Sequence, residues 1–226
     1  MDTPYSGSVM SHRAFKNKLY REFARIGTAL ASDKRLELLD LLAQGPRYVD
    51  ALASEMEMSV ANISQHLQVL RNAKLVESER EGTRVLYRLS DDSVLRLWLD
   101  LRGVAEEHLP EIAQLRRQYS VEGLDQELPR DELEKLLEAD DVVLIDVRPA
   151  LEFEHGHLAG ALAIPVEQLE QRLGELPRDK RIVAYCRGTY CLFADEAVAL
   201  LKQHGFDAVR LEGGWPEWLA ENRDVE

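Results

Sequence analysis

Three short apolar runs, Val142 to Asp146, Ile182 to Tyr185 and Ala208 to Leu211, are separated by helix-like stretches in the second half of this chain. Strands that short and that apolar are buried on both faces, and parallel neighbours need a crossover between them. The pattern therefore confines this half to a mainly parallel α/β sheet. Its helices are predicted at Arg130 to Glu138, Val166 to Leu173 and Leu192 to His204. The first half obeys a different period. From His12 to Leu30 the apolar residues Phe15, Leu19, Phe23, Ile26 and Leu30 recur at helical spacing, and Ser32 before Asp33 is a predicted N-cap. The helix that follows carries Leu36, Leu39 and Leu42 on one face and stops at Gly45-Pro46. Val49 to Glu57 and Val60 to Asn72 read as two short helices, the second capped by Ser59 with Ile63, Leu67 and Leu70 inward. After Leu75 the period changes to two, and Val76 to Arg80 and Arg84 to Leu89 become the arms of a hairpin turning at Glu81-Gly82-Thr83.

Charge divides the chain at the same place. Residues 1–120 hold 17 Lys plus Arg against 17 Asp plus Glu, whereas residues 121–226 hold 11 against 24, so the net charge of minus 13 lies wholly in the second part. Two domains are expected: 1–120, a polar linker at 121–128 taken from the segment Ser120 to Leu128, and 129–226. Residues 1–10 read as a loose tail without the basic flank and apolar core of a signal peptide, and no run of about 18 apolar residues exists. A cytoplasmic protein without a membrane partner is expected. Cys186 and Cys191 are its only cysteines, too few and too local for a disulfide framework, so their placement suggests reactivity.

The order helix, helix, helix, hairpin is that of a mainly α winged helix-turn-helix. Ala29 to Leu89, with "SVANISQHLQVL" at its centre, resembles the ArsR family of bacterial transcriptional regulators, departing from the family's recognition-helix pattern at Asn62. The resemblance implies a double-stranded DNA operator as partner. Asn62, Ser64, Gln65, His66 and Gln68 should then face the major groove or its phosphates. Ser59 lies at the helix start, Arg71 and Arg88 can meet phosphate, and Arg80 and Arg84 flank the wing. Between Asp92 and Tyr119, Val94, Trp98, Leu101, Ala105, His108, Ile112, Leu115 and Tyr119 recur in alternating steps of four and three. That is a coiled-coil-like seam which suggests a homodimer, with Pro110 kinking it or starting a new helix. Family metal sensors place cysteines near the third helix or Asp and His ligands along the last. Arg47 to Asp50 hold no cysteine, and Asp92, Glu107 and His108 lack a second histidine, so no metal and no cofactor is expected.

"LIDVRPALEFEHGHLAGALAIP", "VAYCRGTYC" and "VRLEGGWPEW" together resemble a single rhodanese (sulfurtransferase) domain. Its loop, Cys186, Arg187, Gly188, Thr189, Tyr190 and Cys191, joins a strand to a helix. A helix N-terminus favours an anion, so Cys186 is expected to be a thiolate near neutral pH, cradled by the N–H groups of residues 187–192. The resemblance gives Cys186 the nucleophile's role, while Arg187 and Tyr190 are candidates to orient an anionic donor. Related phosphatases and arsenate reductases place an arginine six positions after the cysteine, and Leu192 stands there, so no phosphatase is expected. Cys191 either starts the helix as a small apolar residue or attacks a persulfide on Cys186. Asp146 and Arg148 read as a structural pair, His155 and His157 as too few for a metal, and Trp215 and Trp218 as core or domain-contact aromatics.

The resulting expectation is a DNA-binding regulator, a repressor, whose rhodanese domain forms a cysteine persulfide and senses or transfers sulfane sulfur. The donor is thiosulfate, polysulfide or a protein persulfide. The alternatives are an active, autoregulating sulfurtransferase, with thiosulfate sulfurtransferase-like activity through Cys186, and a regulator with an inert rhodanese-like interaction module.

Overall fold

The computed structural model describes residues 11–119, 126–221, 223 and 225, so the predicted tail at 1–10 and residues 120–125 of the predicted linker lie outside the described residues. The first unit runs α1 (His12–Leu30), α2 (Asp33–Leu42), β1 (Arg47–Tyr48), α3 (Val49–Glu55), α4 (Val60–Asn72), β2 (Val76–Glu81), β3 (Arg84–Leu89), α5 (Asp92–His108) and α6 (Pro110–Tyr119). Ser11 caps α1 by accepting from the Ala14 N–H, and Ser59 caps α4 by accepting from that of Asn62, each at 3.2 Å. Ser32 sits at the N-cap of α2, yet its side chain makes no capping bond. The predicted inward face of α2 also shifts. Leu38, Leu39, Leu41 and Leu42 are buried while Leu36 is only half-buried, because α2 lies between α4 and α5 and so is enclosed on two sides. Leu38, Leu39, Leu52, Ile63, Leu67 and Leu70 make the centre of this core.

The wing pairs Val76 with Leu89 through Glu81 with Arg84, which leaves Gly82-Thr83 as the turn and puts Glu81 in the strand. A third strand, β1, pairs antiparallel with β3 through Arg47 with Tyr87 and Tyr48 with Leu86. Two residues are too few to show a period of two, so the sequence pattern misses it. The predicted seam breaks at Leu109, and Pro110 opens α6, where its missing N–H has no helical partner to lose. Val94 belongs to the unit's own core, and His108, Leu115 and Tyr119 remain exposed.

The second unit runs β4 (Glu127–Leu128), α7 (Arg130–Glu138), β5 (Val142–Asp146), α8 (Ala150–His155), β6 (Leu162–Ala163), α9 (Val166–Arg172) with a 3-10 turn at Leu173–Glu175, β7 (Arg181–Tyr185), α10 (Phe193–Gln203), β8 (Ala208–Leu211) and α11 (Trp215–Ala220). The sheet order is β4-β8-β7-β5-β6, and every neighbouring pair is parallel. β4 takes Glu127 and Leu128 out of the segment read as linker. Cores lie on both faces of the sheet: Ile145, Ile182, Ala184 and Leu201 on one, Leu144, Val183, Tyr185, Trp215 and Trp218 on the other. β4, β6, α8 and α11 are elements of two to six residues that periodicity does not reveal.

Asp146 and Arg148, both fully buried, bracket the C-terminal end of β5. Arg148 Nε donates to both Asp146 oxygens at 3.0 Å, and its Nη2 donates to the Gly156 carbonyl at 2.8 Å. The Tyr185 hydroxyl donates to Asp146 at 2.6 Å and accepts from the Leu158 N–H at 3.1 Å. The network ties β5, β7 and the loop before β6 directly beneath the cysteine loop. Asp146→Ala leaves a buried guanidinium without its carboxylate and is expected to cost about 3–5 kcal/mol, read as a lowered urea midpoint.

Candidate functional site

The loop of residues 186–192 leaves β7 and enters α10 at Phe193, so Cys186 lies at the strand's end and Cys191 next to the helix's first turn. Cys186 is 0% exposed, whereas Cys191 is partly open. Burial pushes the Cys186 thiol well above its ordinary range, and its Sγ lies 3.7 Å from the Gly188 carbonyl and 3.5 Å from that of Cys191. Cys191 moves the other way. A hydrogen bond from Cys186 favours its thiolate against the cost of burial, and the backbone N–H groups of Arg187 and Phe193 add to it. The expectation of a Cys186 thiolate near neutral pH therefore meets an opposing effect, burial, in this closed arrangement. Six residues separate Cys186 from the helix, and the anion-favouring N–H groups of the helix start reach Cys191 instead.

Two glycines shape the loop. Gly188 has φ +140°, and a Cβ there would lie 3.2 Å from Glu217 Oε1. A Cβ on Gly214 would fall 2.3 Å from the Cys186 carbonyl oxygen and 2.4 Å from Gly188 N, while the next residue, Trp215, donates its N–H to that same carbonyl at 3.2 Å. The Gly213-Gly214 turn is therefore a backstop that holds the loop, a role the sequence reading did not assign. Arg210, 4% exposed, is a second missed residue. It pairs with Asp195 at 2.8 Å, and its positive charge favours an anion on Cys186.

Arg187 is not free to orient a donor. Its Nε donates to both Glu152 oxygens at 3.0 Å, and it also pairs with Glu55 of α3. Arg47, before α3, pairs with the same two carboxylates, at 3.2 Å to Glu55 and in closer contact with Glu152. The four side chains form a closed ring of alternating charge with one arginine and one glutamate from each unit. Gln44, 1% exposed, donates to the Arg187 carbonyl at 3.1 Å, and Arg102 of α5 pairs with Glu217 of α11. Beside the ring lies a cavity of about 340 Å³ lined by Glu37, Asp40, Leu41, Glu55, Arg102, Arg187, Gly188, Tyr190 and Cys191. Burial raises the carboxyl of Asp40, which accepts from the Trp98 indole at 3.0 Å. Tyr190 is 41% exposed with its hydroxyl bonded to Glu106 and its ring 5.7 Å from the Arg102 guanidinium, so it too is partly engaged. Thr189 lines a neighbouring apolar pocket of about 280 Å³ with Ile112, Leu115, Tyr119 and Leu192. Among the described residues no cluster of three His, Cys, Asp or Glu fit for a metal occurs, and no helix is long and apolar enough to cross a membrane.

On the other side of the first unit α4 presents Asn62, Gln65, Gln68 and Arg71 to solvent, with Ser64 and His66 half-buried. The Ser64 hydroxyl donates to the Val60 carbonyl at 2.7 Å and Gln68 to Asn72 at 2.7 Å, so both are held by their own helix. Arg84 pairs with Asp50 at 3.0 Å and lies over the Tyr48 ring, and Arg88 pairs with Glu77 at 2.8 Å. Both pairs are exposed and hence weak. Arg71 and Arg80 have no ion pair among the described residues. The predicted recognition residues therefore share one surface, while two of the predicted wing and phosphate arginines carry a carboxylate partner.

A model of the arsR family of bacterial regulatory proteins matches residues 32–78, and one of the rhodanese-like domain matches residues 129–221. The chain is 43% identical over 211 residues to the HTH-type transcriptional regulator Rv0324 of Mycobacterium tuberculosis, covering 93% of each protein. The chain belongs to the ArsR family. This ArsR-family regulator carries a rhodanese-like domain, which is 34% identical over 86 residues to a sulfurtransferase of Allochromatium vinosum, covering 38% of the chain and 78% of that protein. A solved homodimeric winged helix-turn-helix DNA-binding domain from Mycobacterium bovis is 45% identical, with a TM-score of 0.42, covering 46% of the chain and 94% of that domain.

Iodoacetamide at neutral pH is expected to label Cys191 before Cys186, as followed by peptide mass spectrometry, and Cys191→Ser to abolish the fast phase. Gly214→Ala is expected to displace the loop and raise the labelling of Cys186.

Proposed function

We propose that this ArsR-family regulator is a homodimeric repressor whose operator affinity is set by sulfane sulfur taken up on the Cys186–Cys191 loop. The observation that carries this reading is the placement of the chain's two cysteines. They sit in hydrogen-bonded contact in one loop, and the residue between β7's cysteine and Gly188 is bonded to the DNA-binding unit. A group that changes charge and volume at that loop acts directly on the domain contact.

The chemistry needs a donor with a sulfane sulfur, of the form RS–SH in a polysulfide or a protein persulfide and ⁻S–SO3⁻ in thiosulfate. Once Cys186 has given up its proton, its thiolate attacks the outer sulfur and breaks that sulfur's bond to the rest of the donor, leaving a persulfide on Cys186 and releasing RS⁻, or sulfite from thiosulfate. Cys191, whose thiolate is favoured, can then attack the Cys186 sulfur and expel HS⁻, leaving a Cys186–Cys191 disulfide. The two thiols lose two electrons and the sulfane sulfur takes them up. A complete burial of Cys186 in the resting state suits a reaction once per signal better than rapid turnover with an acceptor.

DNA recognition rests on the polar surface of α4, with Asn62 and Gln65 as base readers, Ser59 and the start of α4 on phosphate, and Arg71 and Arg80 as unpaired cations. Dimerisation rests on the apolar residues left open on α1 and α5–α6. Phe15, Tyr20, Phe23, Val104, Leu115 and Tyr119 are all exposed, beside a groove of about 730 Å³ lined by Leu30, Leu36, Trp98, Leu101, Ala105 and Ile112. Exposure of that much apolar surface is what a partner copy covers.

Polysulfide is expected to shift operator affinity of the wild type by about 5- to 150-fold, measured by fluorescence anisotropy, and to leave Cys186→Ser unchanged. Equal affinities before and after treatment of the wild type sink the reading. Arg71→Ala is expected to weaken binding at every operator sequence alike and to reduce the salt slope by about 1 per site.

A further inference from the structure

In the docked state Cys186 has no open side. It is 0% exposed, it does not line the interdomain cavity, and carbonyl oxygens and the Gly214 backstop surround it. The wall opposite the loop belongs to the other unit, with Asp40 and Leu41 from α2, Glu55 from α3 and Arg102 from α5. The ring holds this wall in place. Arg47 and Glu55 belong to one unit and Glu152 and Arg187 to the other, so each of the two interdomain contacts pairs an arginine with a glutamate. Arg102 with Glu217 makes a second clamp on the far side of the cavity.

The geometry points to the DNA-binding unit as an inhibitory cap on the cysteine loop, latched by Arg47, Glu55, Glu152 and Arg187. Undocking then both admits a donor to Cys186 and frees α3 and the wing strand paired with β1. The proposal deepens the reading of the loop as a sulfane-sulfur site and rests on it, but it concerns access and is read without DNA and without sulfur. The physical case has two parts. Cys186 is fully enclosed with the carbonyls of Gly188 and Cys191 against its sulfur, so a sulfur atom added to it presses on the Arg187–Cys191 segment. Arg187 is covalently next to Cys186, so displacement of the segment pulls its guanidinium from Glu55. Coupling of this kind is reciprocal at equilibrium: whatever weakens the latch favours modification of Cys186 by the same factor as that modification weakens docking, and easier opening also exposes Cys186 to a reagent more often.

The test uses the full-length chain with 4,4′-dithiodipyridine, an uncharged thiol reagent indifferent to the charges removed, and follows Cys186 and Cys191 separately by peptide mass spectrometry. Three variants are compared with the wild type. Glu55→Gln removes one interdomain contact of the ring. The double variant Arg47→Glu with Glu55→Arg keeps the pair inside the DNA-binding unit but sets like charges across the interface, at Glu152 and at Arg187. Arg102→Gln breaks the second clamp and leaves the ring intact. Variants that retain a cooperative thermal transition are expected to react at Cys186 about tenfold faster than the wild type, the double variant fastest. Cys186 rates within twofold of the wild type in the folded variants overturn the cap. Loss of the cap leaves the sulfur reading standing if polysulfide still alters wild-type operator affinity, so the two failures are told apart.

Discussion

Four paired charges at the domain boundary, with Arg47 and Glu152 buried, Arg187 half-buried and Glu55 open to solvent, constrain everything around them. Taking Arg47 and Glu152 fully out of water, and Arg187 partly, carries a desolvation cost, offset because each charge meets two of opposite sign. Such an arrangement has no stable half-way state. With one member gone, a neighbour is left buried and under-compensated, so the two units dock fully or separate into water, where each ion is solvated again. A hydrophobic interface would hold the units permanently. A polar one of this kind permits docking and undocking within a single chain. Even in place the ring is not perfectly satisfied, since Arg47 Nε is buried with no acceptor among the described residues.

The same boundary divides labour between the two sulfurs. The field of a helix N-terminus decays within about one turn, so the seven-residue offset between Cys186 and Phe193 is enough to move its influence from the first cysteine to the second. Burial disfavours the thiolate of Cys186, while a hydrogen bond from Cys186 favours that of Cys191. A loop set in this way is quiet while closed: its exposed sulfur is the poised one, and its deep sulfur is masked twice, by protonation and by cover. Arg210 lies in reserve beneath, its charge able to favour an anion on Cys186 once the thiol loses its proton.

Much of this architecture was legible because it rests on local chemistry. α1 and α4 match their predicted ranges, since each carries a serine cap and a long apolar stripe, and β5, β7 and β8 announce themselves as β-branched apolar runs. The loop's residues were also evident, but not its electrostatics, which depend on where α10 begins to the residue. What the sequence could not show is pairing at a distance. Glu152 and Arg47 are 105 positions apart, and nothing in a six-residue helix or a two-residue strand marks either for burial. Gly214 was visible as part of Gly-Gly-Trp, yet its reason is a backbone 26 residues earlier passing within 2.4 Å of its would-be Cβ at Gly188 N. Arg187 was read as a loop residue and a candidate to orient a donor, and its engagement was not legible because its partners come from two other elements.

On the proposal that docking controls operator binding, a modest change in docking is sufficient because affinity depends on two copies reaching DNA together. Each neutralised phosphate contributes a salt-dependent increment to affinity, and in a dimer the two recognition helices reach successive major grooves about 34 Å apart, so the gain of the second contact depends on their spacing. Geometry of that kind is lost abruptly: a shift of α3 and α4 in either copy that breaks the spacing removes the gain of the second contact altogether. An element that grips α3 through Glu55 and the residue before it through Arg47 is in position to impose that shift. It need supply only the difference between two docked arrangements, not the whole of the binding free energy.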